Sequence, residues 1–181
     1  MSAATTMTTL ATVWLDGCSG CHMSFLDMDE RLLALADRVE LVYSPLVDYK
    51  EFPEGVDVTL VEGAVANEED LEKIQRIRAR THILVSLGDC AVTSNVPGMR
   101  NPFGPEAILR RACLENVTHN PHIPTIMVPP LLKRVRPVHE VVPVDVLIPG
   151  CPPSADTIFA VVAELLEGRI IPTTPLTRFG A

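Results

Sequence analysis

Five short runs of β-branched and apolar residues punctuate the chain at Leu10 to Leu15, Val39 to Tyr43, Val56 to Val61, His82 to Leu87 and Val144 to Ile148. Most are apolar at successive positions rather than alternate ones, the pattern of strands buried on both faces of a parallel sheet. Helical spacing lies between them. Ser24 to Ala36 repeats Phe25, Met28, Leu32, Leu33 and Leu35, and Asn67 precedes an acidic first turn (Glu68, Glu69, Asp70) whose helix ends in Arg76, Arg78 and Arg80. That charge order complements the helix dipole, with Asn67 as N-cap. A third helix is expected from Pro105 to about Val117, and a fourth after Ser154 with Gly168 as its stop. The order β-α-β-β-α-β-α-β-α predicts an α/β fold with a doubly wound, mostly parallel open sheet of flavodoxin-like kind.

Alternation fails between Val92 and Pro143, where nine prolines are interspersed with Ile, Val, Leu, Met and Phe. This stretch reads as a proline-rich insertion before the last strand, with one extra strand at Pro124 to Val128 and a docking role. One domain is expected over residues 1–168 and a packed or frayed tail over 169–181.

Composition narrows the function classes. The 181 residues carry a net charge of −8, against the basic face that nucleic-acid binding requires. Lys133, Arg134 and Arg136 form a local basic patch that reads as a solvated or partner-facing edge. No apolar run is long enough for a membrane span. Met1 to Thr6 show no export signal, so a cytoplasmic location is expected.

Four of the five cysteines lie in glycine- or proline-rich loops: Gly17-Cys18-Ser19-Gly20-Cys21, Gly88-Asp89-Cys90 and Pro149-Gly150-Cys151-Pro152-Pro153. Such loops turn sharply and direct amides at sulfur, as ligand thiolates need, whereas Cys113 sits in a helical pattern and reads as packing. All three loops follow expected strands, and the carboxyl ends of parallel strands are where ligands collect. The residues alone leave an iron–sulfur cluster, zinc and a Cys18/Cys21 dithiol open. One Cys-x2-Cys knuckle plus two isolated cysteines, on a domain large enough to fold without metal, favours the cluster. A flavin in this chain is not expected, because the cysteine pair occupies the loop where a phosphate would sit.

Taken in order, Cys18-Ser19-Gly20-Cys21-His22-Met23-Ser24, Glu62-Gly63-Ala64, Gly88-Asp89-Cys90-Ala91 and the Pro149 to Pro153 loop resemble the motif set of [NiFe]-hydrogenase small subunits. The His-Met-Ser continuation resembles the cytoplasmic, NAD-linked branch. The resemblance implies that Cys18, Cys21, Cys90 and Cys151 bind one proximal [4Fe-4S] cluster. It places the Ni-Fe centre in a partner large subunit, and FMN and NAD in a flavin- and iron–sulfur-containing diaphorase partner. The related quinone-reducing subunit of respiratory complex I shares the Pro-Gly-Cys-Pro-Pro loop but resembles an adjacent Cys-Cys pair where this chain has Cys-x2-Cys. No catalytic residue is expected here; Glu62 and His22 are candidates for a proton-carrying or hydrogen-bonding role beside the ligands. Asp16 and Asp89 read as turn residues, and Met23, Met28, Met99 and Met127 as core or interface filler.

Overall fold

The computed structural model describes residues 7–177. Five strands, β1 (Thr8–Trp14), β2 (Val39–Tyr43), β3 (Val56–Glu62), β5 (Thr81–Leu87) and β7 (Val146–Ile148), pair in parallel in the order β2-β1-β3-β5-β7. This is the expected doubly wound sheet, and its order reverses between β1 and β3. Residues 44–55, which carry β2 across to β3, contain no helix.

Alternate residues of one strand feed two apolar layers because side chains on a strand alternate faces. Leu10, Val58, Leu60, Val85 and Leu87 pack beneath Met28, Leu35 of α2 (Glu30–Ala36) and Ile158, Val161, Val162 and Leu165 of α7 (Ala155–Leu166). Ala11, Val13, Val61 and Leu84 face Phe52, Val138 and Val142, together with Ile74 and Ile77 of α3 (Glu68–Ala79). Two capping expectations hold: Asn67 Oδ1 accepts from the Asp70 amide at 2.8 Å, and Ser154 Oγ accepts from the Thr157 amide at 3.2 Å. Gly168, with φ +70°, follows α7 as a stop residue.

Two expectations are corrected. The single helix over Ser24 to Ala36 is two, α1 (Gly20–Leu26) and α2, separated at Asp29, whose φ of 49° and ψ of −121° are not helical. The break lets Met28 turn fully into the core, and α1 starts four residues earlier than its apolar spacing implies.

Pro124 to Val128 is not a strand; Met127 has φ 64° and 97% exposure. The added strand is β6 (Leu131–Arg136), antiparallel to the three-residue β4 (Val65–Asn67). It forms there because polar side chains complete its backbone hydrogen bonds. The Arg100 guanidinium donates to the carbonyls of Leu132 and Ala66 at 3.0 and 2.7 Å, and Asn101 both donates to the Val135 carbonyl and accepts from its amide. The basic patch thus lies on β6, with Lys133 and Arg134 exposed.

The third helix, α6 (Pro105–Arg110), follows the short helices α4 (Asp89–Thr93) and α5 (Asn95–Gly98) and widens into a π-helical turn over Arg111–Glu115. Of the tail, residues 169–177 are described: Thr173 Oγ1 donates to the Leu147 carbonyl at 2.7 Å, and the Leu176 carbonyl accepts from Thr157 Oγ1 at 2.8 Å. Residues 1–6, read for export signals, and 178–181 lie outside the described residues.

Candidate metal centre

The strand ends deliver the cysteine loops to one place. Beyond β1, Asp16 and Ala64 exchange backbone hydrogen bonds at 3.1 and 2.8 Å, so the Cys18 loop and the turn after β3 close on each other. That contact needs two glycines: a Cβ on Gly17 would lie 3.3 Å from Gly63 Cα, and one on Gly63, at φ +93°, would lie 2.7 Å from the Leu15 carbonyl carbon. The turn presents Glu62, the last residue of β3, to the first turn of α1. Its carboxylate accepts from the backbone amides of Cys21 and His22 at 3.3 and 2.9 Å and contacts His22 Nδ1. Helix amides in the first turn lack intrahelical partners, so a carboxylate from outside the helix can satisfy them. This contact explains why α1 begins before its apolar pattern does.

The Cys90 and Cys151 loops are joined in the same manner. Gly88 and Asp89 amides donate to the Ile148 and Gly150 carbonyls at 2.8 Å each, and Asp89 Oδ1 accepts from the Gly150 amide at 2.7 Å. Asp89 therefore links two loops instead of closing its own turn, correcting the sequence reading. Ser24 Oγ donates to the Pro153 carbonyl at 2.6 Å, tying α1 to the Cys151 loop. A Cβ built on Gly88, which has φ +84°, would stand 2.2 Å from Cys21 Sγ, so only glycine lets the Cys90 loop pass that sulfur.

The thiols form one electrostatic group. Burial pushes the Cys21 thiol far above its ordinary range, with the charges of Glu62, Cys90, Cys18 and Cys151 adding to the effect. Burial likewise raises Cys90, to about 11; a hydrogen bond from the Val96 backbone opposes the rise, while Cys151, Cys18 and Glu62 reinforce it. All five cysteines are free. A bound cation would offset both the burial and the neighbouring negative charges that keep Cys21 and Cys90 protonated, the condition a thiolate-ligated metal group satisfies. Among the described residues no three His, Cys, Asp or Glu side chains are gathered as for a single metal ion.

Of the singled-out residues, Cys18, Cys21, Cys90, Cys151, Glu62 and His22 come together here, whereas Cys113 belongs to the π-helical turn of the insertion. Glu62 and His22 are each 3% exposed, and His22 stacks edge-on against Trp14 at 5.3 Å between ring centroids. Sequence reasoning missed Trp14 and Asn95, and quoted Ser24 in the first motif without its tie to Pro153. Asn95 Nδ2 donates to Cys151 Sγ at 3.4 Å. Its signal was a Ser-Asn pair directly after the Cys90 helix, since Asn tolerates positive φ.

The family model for the NADH ubiquinone oxidoreductase 20 Kd subunit matches residues 18–165. The chain belongs to this family. It is 44% identical over 165 residues to the NAD-reducing hydrogenase HoxS subunit delta of Cupriavidus necator, covering 88% of this chain and 79% of that one. It is 36% identical over 164 residues to the gamma subunit of the coenzyme F420 hydrogenase of Methanosarcina barkeri, spanning 87% of this chain but 54% of the relative's length. A crystal structure of an NAD+-reducing [NiFe]-hydrogenase in the H2-reduced state superposes with a TM-score of 0.89 at 40% identity, covering 96% of this chain and 99% of its counterpart. The resemblance to hydrogenase small subunits that the four cysteine motifs carried is borne out: the chain is a homologue of the NAD-reducing type. Among the described residues no helix is long and apolar enough to cross a membrane.

Proposed function

We propose that this chain is the electron-transfer small subunit of a cytoplasmic NAD-reducing [NiFe]-hydrogenase. Its single domain, over residues 1–168, would hold one proximal [4Fe-4S] cluster on Cys18, Cys21, Cys90 and Cys151. The observation that carries this reading is the convergence of four free thiols on loops after three strands of one parallel sheet, where the charges of the others reinforce the burial that raises Cys21 and Cys90. When bound, the cluster takes up and releases one electron at a time, which suits a relay between a Ni-Fe large subunit and a diaphorase module carrying FMN and NAD. The chain's own residues position the thiolates. Glu62 anchors the amides of Cys21 and His22, Asp89 joins the Cys90 loop to the Cys151 loop, and Ser24 ties α1 to the same loop. With its carboxylate committed to two amides and to His22, Glu62 acts as a positioning residue.

The test is anaerobic purification of the endogenous complex, quantifying iron, sulfide, nickel and zinc, with EPR of the reduced sample. About four irons and four sulfides assigned to this subunit, with nickel in a co-purifying large subunit, are expected. Cluster iron without nickel would favour a complex-I-like subunit, and one zinc without sulfide would reject electron transfer.

A further inference from the structure

Ser94 and Asn95 follow α4 as consecutive non-glycine residues with positive φ, 67° and 24°. L side chains hold such a conformation only where their surroundings enforce it, and such sites concentrate at functional centres. The enforcement is visible. The Ser94 amide donates to the Cys90 carbonyl at 3.0 Å, the Gly98 amide to the Ser94 carbonyl at 2.8 Å, and a Cβ on Gly98 would stand 2.9 Å from that of Ser94. The turn aims a donor at a sulfur. The Asn95 side-chain amide reaches Cys151 Sγ at 3.4 Å, and the next residue, Val96, brings its backbone near enough to the Cys90 thiol to oppose the rise in its pKa. Among the described residues, Asn95 makes the one side-chain hydrogen bond to a cysteine sulfur. Nothing in the packing requires this of a turn; a glycine would make the same bend without the amide.

An N–H directed at sulfur stabilises negative charge there, and more strongly as that charge grows. A thiolate-bound centre gains negative charge when it accepts an electron, so donors at its sulfurs favour the reduced form, and hydrogen bonds to the sulfurs are one determinant of reduction potential. We propose that the Ser94–Val96 turn sets the electron affinity of the metal centre, the Asn95 amide stabilising charge on the Cys151 sulfur. This rests on the cluster reading above and assigns its redox poise to residues that bind no metal.

The experiment uses the intact complex with Asn95→Gly, which keeps the positive-φ turn and removes the amide, and Asn95→Asp, which keeps the shape but replaces the donor with a charged acceptor. Iron and sulfide are measured first, then the midpoint potential by EPR-monitored redox titration. Unchanged iron with a reduction equilibrium about tenfold less favourable in Asn95→Gly is expected, ~59 mV lower for a one-electron couple, and a larger decrease in Asn95→Asp. A wild-type potential in Asn95→Gly at full iron content overturns the proposal, as does iron loss from both variants, which would make Asn95 a retention residue. Absence of cluster iron and sulfide from the unaltered complex would instead defeat the reading beneath it, a result visible before any potential is measured.

Discussion

The glycine-rich cysteine loops and the proline-rich insertion of this molecule differ in where their backbone groups find partners. The cysteine loops at the ends of β1, β5 and β7 are held by hydrogen bonds between distant loops: Asp16 with Ala64 of the turn after β3, Asp89 with Gly150, and Ser24 with Pro153. Residues 116–130 of the insertion contain no helix or strand, and Ile126 and Met127 are 83% and 97% exposed. Loop-forming residues thus mark a tight site in one region and an exposed surface in the other. The difference lies in cross-links between distant loops, because an unpaired polar backbone is costly when buried and cheap in water. Exposed apolar side chains such as these would suit the docking role expected of the insertion from its sequence.

The comparison is broken most severely at Gly88. Gly88→Ala would place a methyl group 2.2 Å from Cys21 Sγ at a backbone conformation that disfavours it. Loss of cluster iron is expected, with destabilisation of about 3 kcal/mol or more from overpacking and backbone strain. Full iron content with an unchanged melting temperature would contradict the close approach.

Next comes the ligand contrast. Cys90→Ser or Cys151→Ser is expected to lower iron and sulfide content, while Cys113→Ser leaves both unchanged; loss only with Cys113 would overturn the assignment. Glu62→Gln removes the charge that α1's first turn leans on. A loss of about 1–3 kcal/mol is expected, read as a lower melting temperature, since charge-assisted bonds to buried groups carry that weight.

A fourth measurement uses pH. The thiols of Cys90 and Cys21 are raised, Cys90 to about 11, so both are protonated near neutrality and must lose protons to ligate metal. Reconstitution of the apoprotein with iron and sulfide is therefore expected to become more favourable as pH rises from 7 toward 9, by about 1.4 kcal/mol per released proton per pH unit. A flat profile would require thiols already ionised at pH 7, against the raised values of Cys90 and Cys21. The smallest effect belongs to the insertion: Ile126→Ser with Met127→Ser should change the isolated subunit's stability by no more than about 0.5 kcal/mol, yet weaken co-purification of the partner subunit.

Much of this protein was determined by its sequence alone. A run such as Val56 to Val61 specifies a doubly buried parallel strand, and Asn67 and Ser154 announce their helices because caps and periodicity are local properties. The identity of the cysteine loops was local as well, since each follows a recognisable strand.

Tertiary structure decided what depends on residues far apart in the chain. α1 starts at Gly20 because Glu62, forty residues on, receives its amides. β6 forms at Leu131 because Arg100 and Asn101 complete its hydrogen bonds, while the more strand-like Pro124 to Val128 finds no partner strand among the described residues. Asn95 meets Cys151 across fifty-six positions, and Gly88 is required by a sulfur on another loop. Periodicity records which face of an element is buried; the sheet order determines which distant donors meet there.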